Sequence, residues 1–280
     1  PLIRPWQTSQ GTFDERSGRL FRLQTEDGLT GWGDAAPLPE FGISEAAATA
    51  FANETAYLDL AAQKAGLPLH AWLSGEAPIP GIGSNANLGA IADVDQHALK
   101  SAADAGFFIV KIKLGQQTVA EEIALLRQLG NELPATLKLR LDANQAWDFA
   151  EAKTFIEACA GLPIEGLEEP LAEPDPVLLA SLQSAANFPL AIDESTHLLD
   201  AHFFRHPAVR RIVIKPARQG GLLASIELAL RARASGLEVI ITSSLESACG
   251  LLACAHLAAA IAPNSIHGLA TATWFSQETG

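Results

Sequence analysis

Five charged residues close five short apolar runs at a nearly constant interval: Lys113, Asp142, Glu168, Asp193 and Lys215, spaced 29, 26, 25 and 22 residues apart. The runs are rich in Ile, Leu and Val and read as strands buried on both faces, with an Ala- and Leu-rich helical stretch filling each gap. Such alternation points to parallel strands joined by helical crossovers. Strand ends are expected near Asn85, Lys113, Asp142, Glu168, Asp193, Lys215, Ser243 and His267. Helices are expected over 93–105, 118–130, 147–160, 175–186, 198–205, 220–235 and 246–261. Eight strands within residues 76–280 favour a closed α/β barrel, whose C-terminal strand ends converge on one mouth. A doubly wound open sheet lacks its fingerprint here: Gly81-Ile82-Gly83 holds only the first two glycines of a phosphate loop and precedes a strand.

Residues 1–75 differ. Two strand-like runs flank Glu26-Asp27-Gly28, a hairpin signal, and Ala35-Ala36-Pro37-Leu38-Pro39 breaks regular structure. Ser44 then caps an Ala-rich helix running to about Gly66. This is a small α+β module, so the division expected is 1–75 as a cap and 76–280 as the barrel, with the C-terminal tail a candidate to return to the cap. Trp32 and Trp72 are expected to pack in or beside it, and Gln10 to Arg16 is a candidate lid. The chain starts at Pro1 and has no methionine, so the natural protein is expected to carry residues beyond these.

The 32 acidic residues outnumber the 19 basic ones, which argues against a nucleic-acid partner. The longest weakly polar stretch, 251–262, is too short to span a bilayer, and no signal peptide is visible. Cys159, Cys249 and Cys254 show no metal or disulfide spacing, which fits packing roles in a reducing, cytoplasmic compartment. Monomer and homo-oligomer both stay open.

Three carboxylates at successive strand ends suit Mg²⁺, which wants hard oxygen ligands and keeps positions for water or substrate. Asp142, Glu168 and Asp193 are the expected ligands, preferred over Glu169 and Glu194 because they directly follow the apolar runs. Asn144 puts an amide beside the first. Lys111 and Lys113 share one side of their strand by alternation, facing the metal site, and Lys215 lies across the barrel. A lysine near another cation and partly desolvated has a lowered pKa and acts as a base near neutrality. Metal plus flanking lysines suits removal of a proton α to a carboxylate, with the metal stabilising the enediolate.

In order, Lys111-Ile112-Lys113, Asp142-Ala143-Asn144, Glu168-Glu169-Pro170, Asp193-Glu194-Ser195 and Ile214-Lys215-Pro216 make the chain resemble the enolase superfamily, in its muconate-cycloisomerase-like branch. Gly31-Trp32-Gly33-Asp34 looks like that family's capping segment. The resemblance implies a modified TIM barrel, (β/α)7β, with a small α+β capping domain, and Mg²⁺ for which Mn²⁺ can substitute. Within the branch the chain is most similar to the o-succinylbenzoate synthase family, dehydratases of menaquinone biosynthesis. Leu139-Arg140-Leu141-Asp142, Ser243-Ser244-Leu245-Glu246-Ser247 and Ala36-Pro37-Leu38-Pro39-Glu40-Phe41-Gly42 carry this. It implies that Lys113 abstracts the proton and assists loss of hydroxide, and that Lys215 holds the opposite face. It further implies that Lys111, Arg140, Asn144 and the Ser243-Ser244 backbone help bind a small-molecule carboxylate. The sequence departs from the family in lacking a longer helical stretch after Phe41.

The same constellation serves N-acylamino acid racemases and dipeptide epimerases. Dipeptide epimerases carry Asp-x-Asp after strand eight, whereas Gly268-Leu269-Ala270-Thr271-Ala272-Thr273 holds no acid, which disfavours an amine-bearing dipeptide. A non-catalytic metal-binding barrel is a remote third reading, opposed by the two lysines. His197, His202 and His206 read as a surface helix face, Trp147 as the packed start of a helix, and His267 as a candidate substrate contact. Ser243 and Ser244 lack a His/Asp partner for a nucleophile reading.

Overall fold

The computed structural model describes residues 1–3, 5–8 and 11–276. The chain opens with two hairpins, β1 (Trp6–Thr8) with β2 (Gly11–Phe13) and β3 (Arg19–Gln24) with β4 (Thr30–Ala35). Gly28, at φ +93°, turns the second where Asp-Gly was expected to. Helix α1 (Glu45–Ala65) lies against β4, and α2 (Leu69–Ser74) leads out of the module. The Ser44 hydroxyl accepts from Ala47 N–H and Gly66 closes α1 in the left-handed region. Leu38 and Ile43 exchange backbone hydrogen bonds of 2.9 and 3.1 Å around a single 3-10 turn, Pro39–Phe41, closed by Gly42, and the chain passes from it directly into α1.

The barrel follows: β5 (Gly83–Ser84), β6 (Ala86–Ala90), α3 (Gln96–Asp104), β7 (Ile109–Lys113), α4 (Val119–Glu132), β8 (Lys138–Asp142), α5 (Phe149–Ala158), β9 (Ile164–Glu168), α6 (Pro176–Ala185) and β10 (Leu190–Ile192). It is completed by α7 (Ala201–Arg205), β11 (Arg211–Ile214), α8 (Pro216–Gln219), α9 (Leu222–Ala234), β12 (Glu238–Ile241), α10 (Ala248–Ile261) and β13 (Ile266–His267). Strands β6 to β12 form one parallel sheet in chain order. The sheet closes through β13, which pairs with β5, while Gly268 N–H donates to Ile241 O at 2.9 Å and Ser243 N–H to Gly268 O at 3.2 Å. Closure removes the free edges that an open sheet would expose. Capping boxes, Thr118 with Glu121 and Asp148 with Glu151, start α4 and α5 just after the loops that carry the strand-end residues.

Three expectations are corrected. The first strand continues past Asn85 to Ala90, with a bulge between Asn87 and Gly89, because it pairs with β7 as far as Ala90 opposite Lys113; the Asn85 side chain turns into the barrel to accept from Arg140 at 3.0 Å. Trp147 lies in the loop before α5, bridged to Leu171 and tilted on Phe155 at 4.5 Å, since Asp148 takes the cap position. His267 ends β13 fully buried, its Nδ1 accepting from Ile241 N–H and its Nε2 beside Ala262 O, so it pins strands rather than facing the mouth. His197, His202 and His206 are exposed, and the three cysteines are free thiols. Trp32 and Trp72 sit partly exposed on the cap side. Among the described residues no helix is long and apolar enough to cross a membrane.

The N-terminal and C-terminal segments meet: Leu2 bridges Phe275, and Leu2, Leu245 and Trp274 form a small apolar cluster. Below the mouth the barrel interior is charged. Glu165 accepts from Arg140 Nε at 2.8 Å and Nη2 at 3.0 Å, and from Arg211 at 3.0 and 2.6 Å, while Arg211 also reaches Glu238. Gly166 makes room, because a Cβ there would fall 2.4 Å from Arg211 Nη1. Burial would raise the Glu165 carboxyl, but the two guanidinium groups overcome it and hold the pKa at about 2 against the usual 4.5. A depressed acid contributes stability above its unfolded pKa and loses it as pH falls. Glu165→Gln is therefore expected to cost about 3–5 kcal/mol near neutrality in denaturant unfolding. The gap to wild type should close as pH falls from 4.5 towards about 2.

Candidate active site

The five strand-end residues converge as the spacing requires. Lys113, Asp142 and Glu168 are neighbours in register across β7, β8 and β9, and Asp193 and Lys215 follow β10 and β11 by one residue. All are buried. Lys111 and Lys113 do share a face: both ammonium groups meet Asp142 Oδ2, at 2.8 and 2.6 Å. Lys111 also contacts Glu168, and Lys113 donates to Asn144 Oδ1 at 2.7 Å. Across the mouth Lys215 Nζ lies 2.5 Å from Asp193 Oδ2 and 3.9 Å from Glu194. Arg218, in the first turn after Lys215, donates to the Asp193 carboxylate and, at 2.7 Å, to its carbonyl. Arg218 was missed by sequence reasoning; its signal was a basic residue one helical turn beyond a strand-end lysine.

A lowered lysine pKa was expected from cation crowding. At Lys111 burial does pull the pKa down, but Asp142, Glu168 and Asp193 outweigh it and the ammonium form is held above its ordinary range. The carboxylates respond unequally. Burial works against ionising Asp142, yet Lys111 and Lys113 hold it well below the usual range. Burial, reinforced by Asp142 and Asp193 against the pull of Lys111, pushes Glu168 up. Burial and Asp193 push Glu194 up to about 7.

Among the described residues, no three metal-ligating side chains stand close enough together to hold an ion, because cationic side chains take up their oxygens. The donor set nevertheless fits a hard divalent cation in kind and placement: three buried carboxylates at adjacent strand ends, with Glu168 Oε1 buried and unpaired. Holding one requires the oxygens that face Lys111 and Arg218 to turn towards a common centre.

Glu169 has a different task from its neighbour. Its carboxylate accepts from Asp193 N–H at 2.6 Å, Ser195 N–H at 2.8 Å and Ser195 Oγ at 2.6 Å, tying two strand-end loops together. Asn144, Gln145 and Glu169 all have positive φ, between 43° and 63°, so backbone strain collects here.

Two substrate-binding expectations are redirected. Arg140 lies two residues below Asp142 on the same face, its guanidinium committed to Glu165, Asn85 and Ile266 O. The amides of Ser243 and Ser244 are taken by Gly268 O and, at 2.6 Å, by Glu246 Oε2. What Ser244 offers instead is its hydroxyl, buried without a partner, beside that of Ser243, which bonds Thr271 Oγ1 at 2.7 Å.

The mouth is walled by Asn85 and Asn87, the three lysines, Thr242, Ser243, Ser244 and Leu245, and by Gly268, Ala270 and Thr271. Among the described residues lining it, Asp193 is the one acid. The cap supplies the roof. Trp6 stacks on Phe41 at 5.0 Å, Phe13 tilts against both, and the Lys215 ammonium lies 5.7 Å from the Phe41 ring centroid. In the lid candidate, Gln10 lies outside the described residues; Phe13 joins the roof and Arg16 grips Pro37 O and Leu245 O.

The family model of the enolase C-terminal domain-like proteins matches residues 93–279. An o-succinylbenzoate synthase from Pectobacterium atrosepticum is 34% identical over 91% of this chain and 82% of its own length. The L-Ala-D/L-Glu epimerase of Bacillus subtilis is 28% identical over 92% and 82%. In fold, a dipeptide epimerase from Enterococcus faecalis, solved with Mg and the dipeptide L-Leu-L-Tyr, superposes with a TM-score of 0.88 at 26% identity, covering 99% of this chain and 89% of that one. The chain belongs to the enolase C-terminal domain-like family and is an enzyme of the enolase superfamily.

Proposed function

We propose that the protein is a divalent-metal-dependent carbon–oxygen lyase, an o-succinylbenzoate synthase acting on 2-succinyl-6-hydroxy-2,4-cyclohexadiene-1-carboxylate. The observation that carries this reading is the chemistry of the mouth. It offers three lysines and a bank of hydroxyls, and its strand-eight wall of Gly268, Ala270 and Thr271 has no acid. Such a surface suits a substrate with two carboxylates and gives a dipeptide's ammonium group no acid to pair with on the strand-eight wall. The o-succinylbenzoate synthases at 31–34% identity agree with it.

Asp142, Glu168 and Asp193 would hold Mg²⁺, or Mn²⁺ in its place, and the ion would supply positive charge to the substrate carboxylate and so acidify the adjacent C–H. Lys113, in its neutral form, takes that proton onto Nζ from one face. It then returns a proton to the departing hydroxyl on the same face, so the C–H and C–O bonds break, a ring double bond forms and water leaves. Lys215 keeps its charge on the opposite face.

Racemisation of N-acylamino acids is the second reading. Lysines on both faces favour it, and acylation removes the ammonium that the neutral wall would otherwise reject.

Lys113→Ala is expected to lower kcat by about 10²–10⁴-fold or more while divalent cations still bind, as read by titration calorimetry. Retained turnover would remove Lys113 as the base. Millimolar Mg²⁺ is expected to raise the melting temperature of wild type, and Glu168→Gln to abolish that rise. Incubation of the cyclohexadiene carboxylate with and without a chelator tests the reaction itself. Metal-dependent aromatisation supports the lyase; α-deuterium incorporation into both enantiomers of an N-acylamino acid, without dehydration, replaces it with the racemase.

A further inference from the structure

The loop after β12 forms one wall of the mouth: the barrel holds its start, through Thr242 N–H to Ile214 O at 3.0 Å, Ser243 N–H to Gly268 O and Ser243 Oγ to Thr271 Oγ1, whereas residues 244–247 are held largely from elsewhere. Leu245 has φ +59°, a left-handed conformation that leucine adopts at a cost. The groups that impose this come largely from the cap. Asp34, at the end of β4, accepts from Ser247 N–H at 2.7 Å. Arg16 reaches Leu245 O at 3.3 Å with Nε while its other nitrogens hold Ala36 O and Pro37 O at 2.8 and 2.7 Å. Between them Glu246 turns back to accept from Ser244 N–H. Asp34 and Glu246 are both buried, and Arg16 is the cation beside them. Asp34 itself is fixed, because Gly31 and Gly33 bring β4 directly onto α1: a Cβ at Gly33 would fall 1.9 Å from Ala52 O. On the far side Gly250 of α10 leaves no room either, since a Cβ there would sit 2.6 Å from Glu246 Cβ and 2.9 Å from Asp34 Oδ2.

We infer that Asp34 and Arg16 are positioning residues that set the Ser244–Leu245 part of the substrate-facing wall from the capping domain, an inference resting on the reading of this mouth as the substrate site. Neither side chain lines the mouth. Each acts through the backbone of the loop, so the two fix where the unpartnered Ser244 hydroxyl stands without touching the lysines or the carboxylates. The effect belongs in substrate binding and not in the proton-transfer step.

The test pairs steady-state kinetics on the cyclohexadiene carboxylate with peptide-level hydrogen–deuterium exchange. In Asp34→Ala, exchange over 242–248 is expected to rise about tenfold while 138–142 of β8 is unchanged, and KM to rise about tenfold with kcat within about twofold, as loss of one charge-assisted hydrogen bond predicts. Asp34→Asn, which keeps an oxygen for Ser247 N–H, should restore most of both. Should Asp34→Ala fail to fold, Arg16→Lys, which keeps the charge but loses the forked contact, is expected to give the same pattern at smaller amplitude. Unchanged exchange and KM overturn the inference, and so does faster exchange spread over the whole barrel. If wild type does not turn over this substrate, the functional reading falls and the exchange over 242–248 decides the positioning role by itself.

Discussion

Three buried carboxylates in the barrel mouth are tenable only because four cations stand among them. Taking an isolated carboxylate out of water costs several kcal/mol, and a second beside it adds repulsion. Here Lys111 and Lys113 neutralise Asp142, Lys111 spans to Glu168, and Lys215 with Arg218 neutralises Asp193. The strands lie in chain order, so this charge pairing is also a packing order: β7 and β11 bracket the three acid-bearing strands. The positive φ values after β8 and β9 fall at this same rim, where Glu169 ties the loops that carry the acids. Strain and desolvation are both concentrated where the chemistry would occur.

The rest of the molecule holds that rim in place from two sides. Below, the Arg140–Glu165–Arg211 network fills part of the barrel with a satisfied charge cluster beside a small apolar cluster of Ala191, Val213 and Ile240. Above, Trp6, Phe13 and Phe41 roof Lys215, and the cap grips the loop after β12. An apolar roof over an ammonium lowers the local dielectric, which strengthens every charge interaction beneath it.

The barrel and its rim were legible because parallel strands buried on both faces leave continuous apolar runs, and a charge at the end of such a run has few places to go. Lys113, Asp142, Glu168, Asp193 and Lys215 needed only that periodicity. Arg140 did not yield to it. Alternation puts Arg140 on the same face as Asp142 but says nothing of depth, and its partner Glu165 sits inside a run that reads as plain strand. Ser243 and Ser244 failed for a related reason. Their amides looked available until Gly268 and Glu246, brought in by barrel closure and by a left-handed turn at Leu245, took them. The Lys111 shift ran opposite to expectation because one neighbouring ammonium was weighed and three carboxylates were not.

A constellation built this way says more about the bond to be broken than about the molecule that carries it. The lysines and carboxylates meet whatever places an α-proton between β7 and β11, and that requirement is common to a dehydration and to a racemisation. Discrimination has to come from the remaining walls, which here are neutral at strand eight and hydroxyl-lined at strand seven. A neutral wall rejects an ammonium by leaving it desolvated and unpaired, a penalty of several kcal/mol that no contact elsewhere in the mouth needs to reinforce. On the proposed reading the choice of substrate is thus set by where charge is absent, and the reaction by where it is crowded.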